Sequence, residues 1–196
     1  MTKKVIVTII LSILILVIVK GLINIYAADY FYKRSQILIE EGDFKTSAKY
    51  ADYAIDLNPL EPNYYRGRAK ILVTILTDQT DNSREIKLSA INDLNKAYSL
   101  NPSNLVVSRN SIPLYYFIAT KDLTHPASVS NVDEDFLIYV KEFYSILKQK
   151  YPNDLGVMVQ IAKYEKRLGL EKEYHETIEQ IKVLRPDVLD WYKDLT

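Results

Sequence analysis

Four basic side chains sit in pairs four residues apart, Arg66 with Lys70 and Lys163 with Arg167. On a helix each pair shares one face. Arginine takes a carboxylate or phosphate bidentately and lysine adds a compact charge, so these residues offer capture of an acidic group. Bond-making chemistry finds less support. His125 precedes Pro126, and His175 lies 50 residues on, inside the charged run EKEYHETIEQ. Neither has metal-ligand spacing or belongs to a nucleophile signature, and both read as surface histidines. The carboxylate pairs Asp133/Asp135 and Glu40/Glu41 fall in turns or loops, and the five glycines are scattered singly, so no phosphate-cradling loop exists. No catalytic residue, metal site or cofactor is expected.

The elements that position these cations start from a chain of 196 residues with 48% apolar and 26% charged side chains, ordinary for a folded protein. Five glycines and seven prolines are too few for a turn-rich β-sandwich or barrel. Cysteine is absent, which rules out disulfides and thiolate metal sites and fits an extracytoplasmic bacterial location. Beyond residue 28 there are 22 basic and 25 acidic side chains, a net of −3. Nucleic-acid binding, which wants a basic excess, is therefore not expected.

The start, MTKKVIVTIILSILILVIVKGLINIYAADY, has a basic flank and no charge from Val5 to Val19. Helix through Ala27 would rise about 34 Å, enough to span a hydrocarbon core of about 30 Å. Lys20 would then snorkel to the outer interface, and Lys3 and Lys4 would keep the N-terminus cytoplasmic. The alternative is a signal peptide cleaved near Ala27 or Ala28, but Ile25-Tyr26-Ala27 is a mediocre cleavage site. We expect an uncleaved anchor over residues 1–28 and a helical domain over residues 29–196.

Within that domain AIDLNP (54–59), AYSLNP (97–102) and IKVLRP (181–186) end alike, and LKQKYP (147–152) keeps the closing proline. The prolines Pro59, Pro102, Pro152 and Pro186 are spaced 43, 50 and 34 residues apart. The polar stretches TDQTDNSRE (77–85) and DLTHPASVSNVDED (122–135) account for the longer intervals as insertions between helices. PDVLDWYKD (186–194) reads as a closing helix, with Trp191 covering the last hairpin.

This pattern resembles a tetratricopeptide repeat (TPR) array, whose period is 34 residues. EEGDF (40–44) is similar to the family's Gly-Asp-Tyr turn. Ala54, Ala69, Ala90, Ala97 and Ala162 fall at small positions, Leu57, Leu94 and Leu100 at apolar ones, and Pro113 disturbs the third unit. The resemblance implies an all-α fold, a TPR-like solenoid of about four helical hairpins preceded by one transmembrane helix. Such arrays bind along the concave face lined by the first helix of each unit. Projected from the register, that groove would hold Gln36, Asn63, Arg66, Lys70, Arg109, Lys163, Lys166 and Arg167. The competing expectation is that these cations pair with neighbours such as Glu165 or Glu171 on a solvated face. Most of the 16 tyrosines are expected in the seams between hairpins.

A narrower resemblance lies in DYFYKRSQILIEEGDF, YADYAIDLNPLEPNYYRGRAKIL, LYYFIATKDLTHP and VQIAKYEKRLGLEKEY. These are similar to the TPR tail of O-antigen ligase and polymerase-like proteins, outside the cytoplasm. That implies an accessory module and no glycosyl transfer. The sequence thus leads to a membrane-anchored scaffold for a protein or acidic-peptide partner, or alternatively to a glycan-binding accessory of polysaccharide assembly.

Overall fold

The structure, a computed structural model, describes residues 2–77, 83–125 and 129–192, with side chains from Val5 onward other than Val129. The described residues are mainly helical. The helices are α1 (Thr2–Glu40), α2 (Phe44–Leu57), α3 (Pro62–Ile75), α4 (Ser83–Leu100), α5 (Leu105–Ile118), α6 (Glu134–Lys150), α7 (Leu155–Arg167), α8 (Glu171–Leu184) and the short α9 (Val188–Trp191). Among the described residues there is no strand, only an isolated bridge between Thr120 and Val132.

Local chemistry sets the helix ends. α1 stops where Gly42 takes φ 80° and the Asp43 N–H reaches back to the Leu38 carbonyl at 2.9 Å. The same closure follows α7, with Gly169 at φ 68° and the Leu170 N–H on the Glu165 carbonyl at 3.0 Å. A left-handed residue after a helix suits glycine because no Cβ meets the backbone. Asp43, Asn104 and Asp154 cap α2, α5 and α7 through their side-chain oxygens. Pro113 lies inside α5 without ending it, although its ring removes the N–H that would reach the Arg109 carbonyl.

α1 has two characters in one uninterrupted helix. From Val5 to Tyr26 its apolar side chains face outward, while Ala28, Ser35 and Leu38 are buried against the rest of the chain. Among the described residues it is the helix long and apolar enough to cross a membrane.

Beyond Ala28 each helix packs on the next from α1 through α8, and α1, α3, α5 and α7 also touch in series. Ala54, Ala69, Ala90, Ala97 and Ala162 are all fully buried at these crossings, so neighbouring helices approach closely. Leu94, Met158 and Ile161 fill the interior, while Leu57, Leu72 and Leu100 are only partly buried. Tyr64, Tyr65, Tyr115, Tyr116, Tyr144 and Tyr174 are core residues, six of the 16 tyrosines where most were expected, while Tyr26, Tyr30, Tyr53 and Tyr192 are exposed.

Both insertions fall at helix junctions, though residues 83–85 of the first already belong to α4 and residues 134–135 of the second to α6. That after α3 includes residues 78–82, outside the described residues. The segment from α5 to α6 is closed by the Lys121 N–H on Asn131 and the Asp133 N–H on Ala119, at 2.9 and 2.8 Å. Buried Lys87 fastens it further, donating to the Thr120 carbonyl at 2.9 Å and to Asp133 at 2.7 Å. Pro126 within it is outside the described residues.

The closing helix is shorter than expected, and Trp191 does not cover the last hairpin. Val188 and Leu189 do so, buried among Met158, Ala162 and Ile178, while Trp191 stays 74% exposed. Four residues make one turn with one inward face, and the two preceding apolar side chains occupy it.

Candidate functional site

Arg109 and Lys163 share one cleft of about 470 Å³ between α5, α7 and α9. Leu155, Gly156, Val159 and Gln160 of α7 line it with them, together with Val188, Trp191 and Tyr192. Local sequence explains the arrangement. Gly156, Val159, Gln160 and Lys163 recur at three- and four-residue steps, so one face of α7 is presented to the cleft. α9 folds back over α7 because Val188 and Leu189 need an apolar neighbour.

The Arg109 guanidinium lies over Gly156, its Nη2 2.6 Å from where a Cβ would stand. It donates to Asp154 Oδ1 at 2.6 Å, and the same oxygen accepts the Val157 N–H at 2.9 Å. Arg109 is thus tethered to the N-cap of α7. Lys163 has no ion-pair partner among the described residues. Two buried polar atoms on the cleft residues, Arg109 Nε and Gln160 Oε1, have no hydrogen-bond partner among the described residues. Trp191 and Tyr192 are 74% and 49% exposed, an aromatic rim beside the charge. The chemistry on offer is electrostatic capture of an acidic group, with aromatic faces for the apolar part of a ligand.

The other projected groove residues line other surfaces. Gln36 donates to Ser35 Oγ at 3.3 Å. Asn63 is held through its backbone and side-chain nitrogens by Glu61, the N-cap of α3. Arg66 is half-buried near Tyr32, and its Nε lacks a partner among the described residues. Burial raises the Tyr32 phenol above its ordinary range, with Arg66 opposing. Lys70 is exposed. Lys166 lies 5.8 Å from the Tyr174 ring and Arg167 5.7 Å from the Tyr164 ring.

The anticipated acid partners are engaged elsewhere. Glu165 is buried and accepts from Lys148 Nζ at 2.8 Å and from Thr177 Oγ1 at 2.6 Å. Glu171 lies 3.9 Å from His175, whose side chain is 74% exposed. Asp133 and Asp135 pair with Lys87 and Arg84, and Glu41 with Arg34.

Sequence reading missed Gly156, Gln160 and Tyr192 as cleft residues and cast Trp191 as a plug. A glycine inside a helical period was the available signal, because such a residue is destabilising unless something must approach closely. No protein-family model matches the sequence, and no curated protein matches it.

Proposed function

We propose that this chain is a membrane-anchored scaffold of the tetratricopeptide type that captures an acidic segment of a protein partner in the α5–α7–α9 cleft. The carrying observation is the convergence on one concavity of Arg109, Gln160 and Lys163, the last without an ion-pair partner among the described residues, with an aromatic rim. Lys163 meets a carboxylate, and the Gln160 side chain, on turning its buried Oε1 outward, accepts a peptide N–H, so an acidic peptide answers both. The serial contact of α1, α3, α5 and α7, with α2, α4 and α8 packed on their preceding helices, supports a TPR-like solenoid of four hairpins. The apolar, outward-facing first half of α1 supports a single-pass anchor. With Lys3 and Lys4 on its basic flank, the N-terminus is cytoplasmic and the helical domain faces the outside of a bacterial membrane. Burial of Ala28 inside a continuous helix favours an uncleaved segment.

One observation favours a second reading. Exposed Trp191 and Tyr192 at the rim would stack on a sugar ring, as a glycan-binding accessory requires. The two readings separate when the full-length protein in detergent micelles is titrated with an oligoglutamate peptide and, in parallel, an uncharged oligosaccharide. Saturable peptide binding weakened by salt is the expected result. Binding of sugar alone transfers the cleft to the second reading, and binding of neither overturns both.

A further inference from the structure

Four turns, each holding one of the prolines Pro59, Pro102, Pro152 and Pro186, join the even-numbered helices to the odd-numbered ones that follow. The first turn can be placed against α1 by the register of α1 on α2. Ser47 Oγ donates to the Ser35 carbonyl at 2.8 Å, Phe31 meets the rings of Tyr50 and Tyr53 at 5.6 and 5.5 Å, and Ala28 and Ala54 share one buried cluster. Each step back along α1 is matched by a step forward along α2, so the two helices run antiparallel. Extended past Leu57, the register sets the turn Asn58–Pro59–Leu60–Glu61 level with Ile23–Tyr26 of α1. A hydrocarbon layer of about 30 Å entered at Val5 ends near the same level, after about 20 helical residues.

The side chains at that level suit an interface. Leu60 is 74% exposed, and α1 presents Tyr26 and Tyr30 at 78% and 61% exposure, where aromatic residues favour the headgroup layer. Leu100 shares the cluster of Ala28 and Leu57, so the second turn starts close by, and Val106 just after it is 65% exposed.

We infer that the proline-turn edge of the helical domain rests on the bilayer that anchors α1, with Leu60 inserted at the headgroup boundary. This rests on the anchor reading above. The occupant is the lipid surface because α1 runs without a break from the apolar span into the packed domain and fixes the height of the turn. Asp29, Asp56 and Glu61 lie at or near the first turn, so contact at Leu60 depends on apolar insertion and a zwitterionic surface serves. The domain stands upright on its anchor, with Gly42 and Gly169 on the far side.

The chain has no cysteine, so single labels can be introduced directly. Full-length Leu60→Cys and Ile138→Cys, the latter an exposed position on α6, would each carry an environment-sensitive fluorophore. Both would be reconstituted in phosphatidylcholine vesicles containing headgroup-level nitroxide lipids. The label at 60 should emit blue-shifted and be quenched several-fold more than that at 138, with no gain from anionic lipid. Equal quenching in protein that floats with the vesicles overturns the docking and leaves the anchor standing. Protein that fails to float overturns the anchor reading and the docking with it.

Discussion

The ring of Tyr32 lies across Gly67, its Oη 2.8 Å from where a Cβ on that glycine would stand. The same ring pairs with Tyr64 at 5.1 Å between centroids, so α1 and α3 meet through an aromatic side chain laid on bare backbone. Gly67→Ala should therefore lower stability by about 1–3 kcal/mol, the overpacking cost outweighing the helix propensity gained. Gly156→Ala differs, because it meets the far end of Arg109, a flexible side chain. That variant should stay within about 1 kcal/mol of wild type. Chemical denaturation of both full-length variants in micelles checks the contrast, and equal losses would contradict it.

Lys148 and Glu165 form a second such test, within the packed domain. Their side chains are 16% and 2% exposed, and Thr177 completes the set of hydrogen bonds among α6, α7 and α8. Lys148→Met strands a buried carboxylate and should cost about 3–5 kcal/mol. Lys148→Met with Glu165→Leu should recover most of that loss, because neither charge is then left alone. Denaturation midpoints decide it, and a double variant no better than the single would count against the pairing.

Alkaline pH should unfold the domain through its tyrosines. Burial pushes the phenols of Tyr64, Tyr115 and Tyr144 up, and the Asp29 carboxylate adds to this at Tyr64. The folded state holds these protons more tightly than the unfolded chain does. Their contribution is fully present below the unfolded value of about 10 and is lost as pH rises through the folded values. Helix loss and tyrosinate absorbance should thus rise together above about pH 10. Titration of all the tyrosines with helicity intact would contradict this.

Asp154 should separate stability from binding. It caps α7 at Val157 and holds Arg109 through one oxygen. Asp154→Ala should cost about 1 kcal/mol or somewhat more by removing the cap. It should also tighten oligoglutamate binding, because the Arg109 guanidinium is released. Weaker binding in a variant that still folds would mean that Asp154 shapes the cleft instead of competing for its cation.

The helix boundaries and crossings were legible because local rules govern them. Pro59, Pro102, Pro152 and Pro186 each follow the end of a helix, Gly42 supplies a left-handed residue, and Ala54 or Ala97 recurs at a period set by one helix alone. The cleft was less legible because it depends on which helices meet and how closely. Arg109 and Lys163 were named from the register, but their pairing with Gly156, Gln160 and Tyr192 requires the α5–α7 approach and the return of α9. Trp191 shows the limit in one residue. Its apolar bulk pointed inward in sequence, yet the single inward face of α9 was already filled by Val188 and Leu189.

Trp191, the one tryptophan in the chain, stands on the rim of the cleft and gives the most direct test of capture there. Its emission would be followed while oligoglutamate is added to full-length wild type and to Lys163→Glu. The predicted result is a saturable change in wild type, with the variant needing about tenfold more peptide or more, a weakening of about 1.4 kcal/mol. Unchanged emission in wild type, or identical titrations of the two proteins, would contradict an acid-binding cleft.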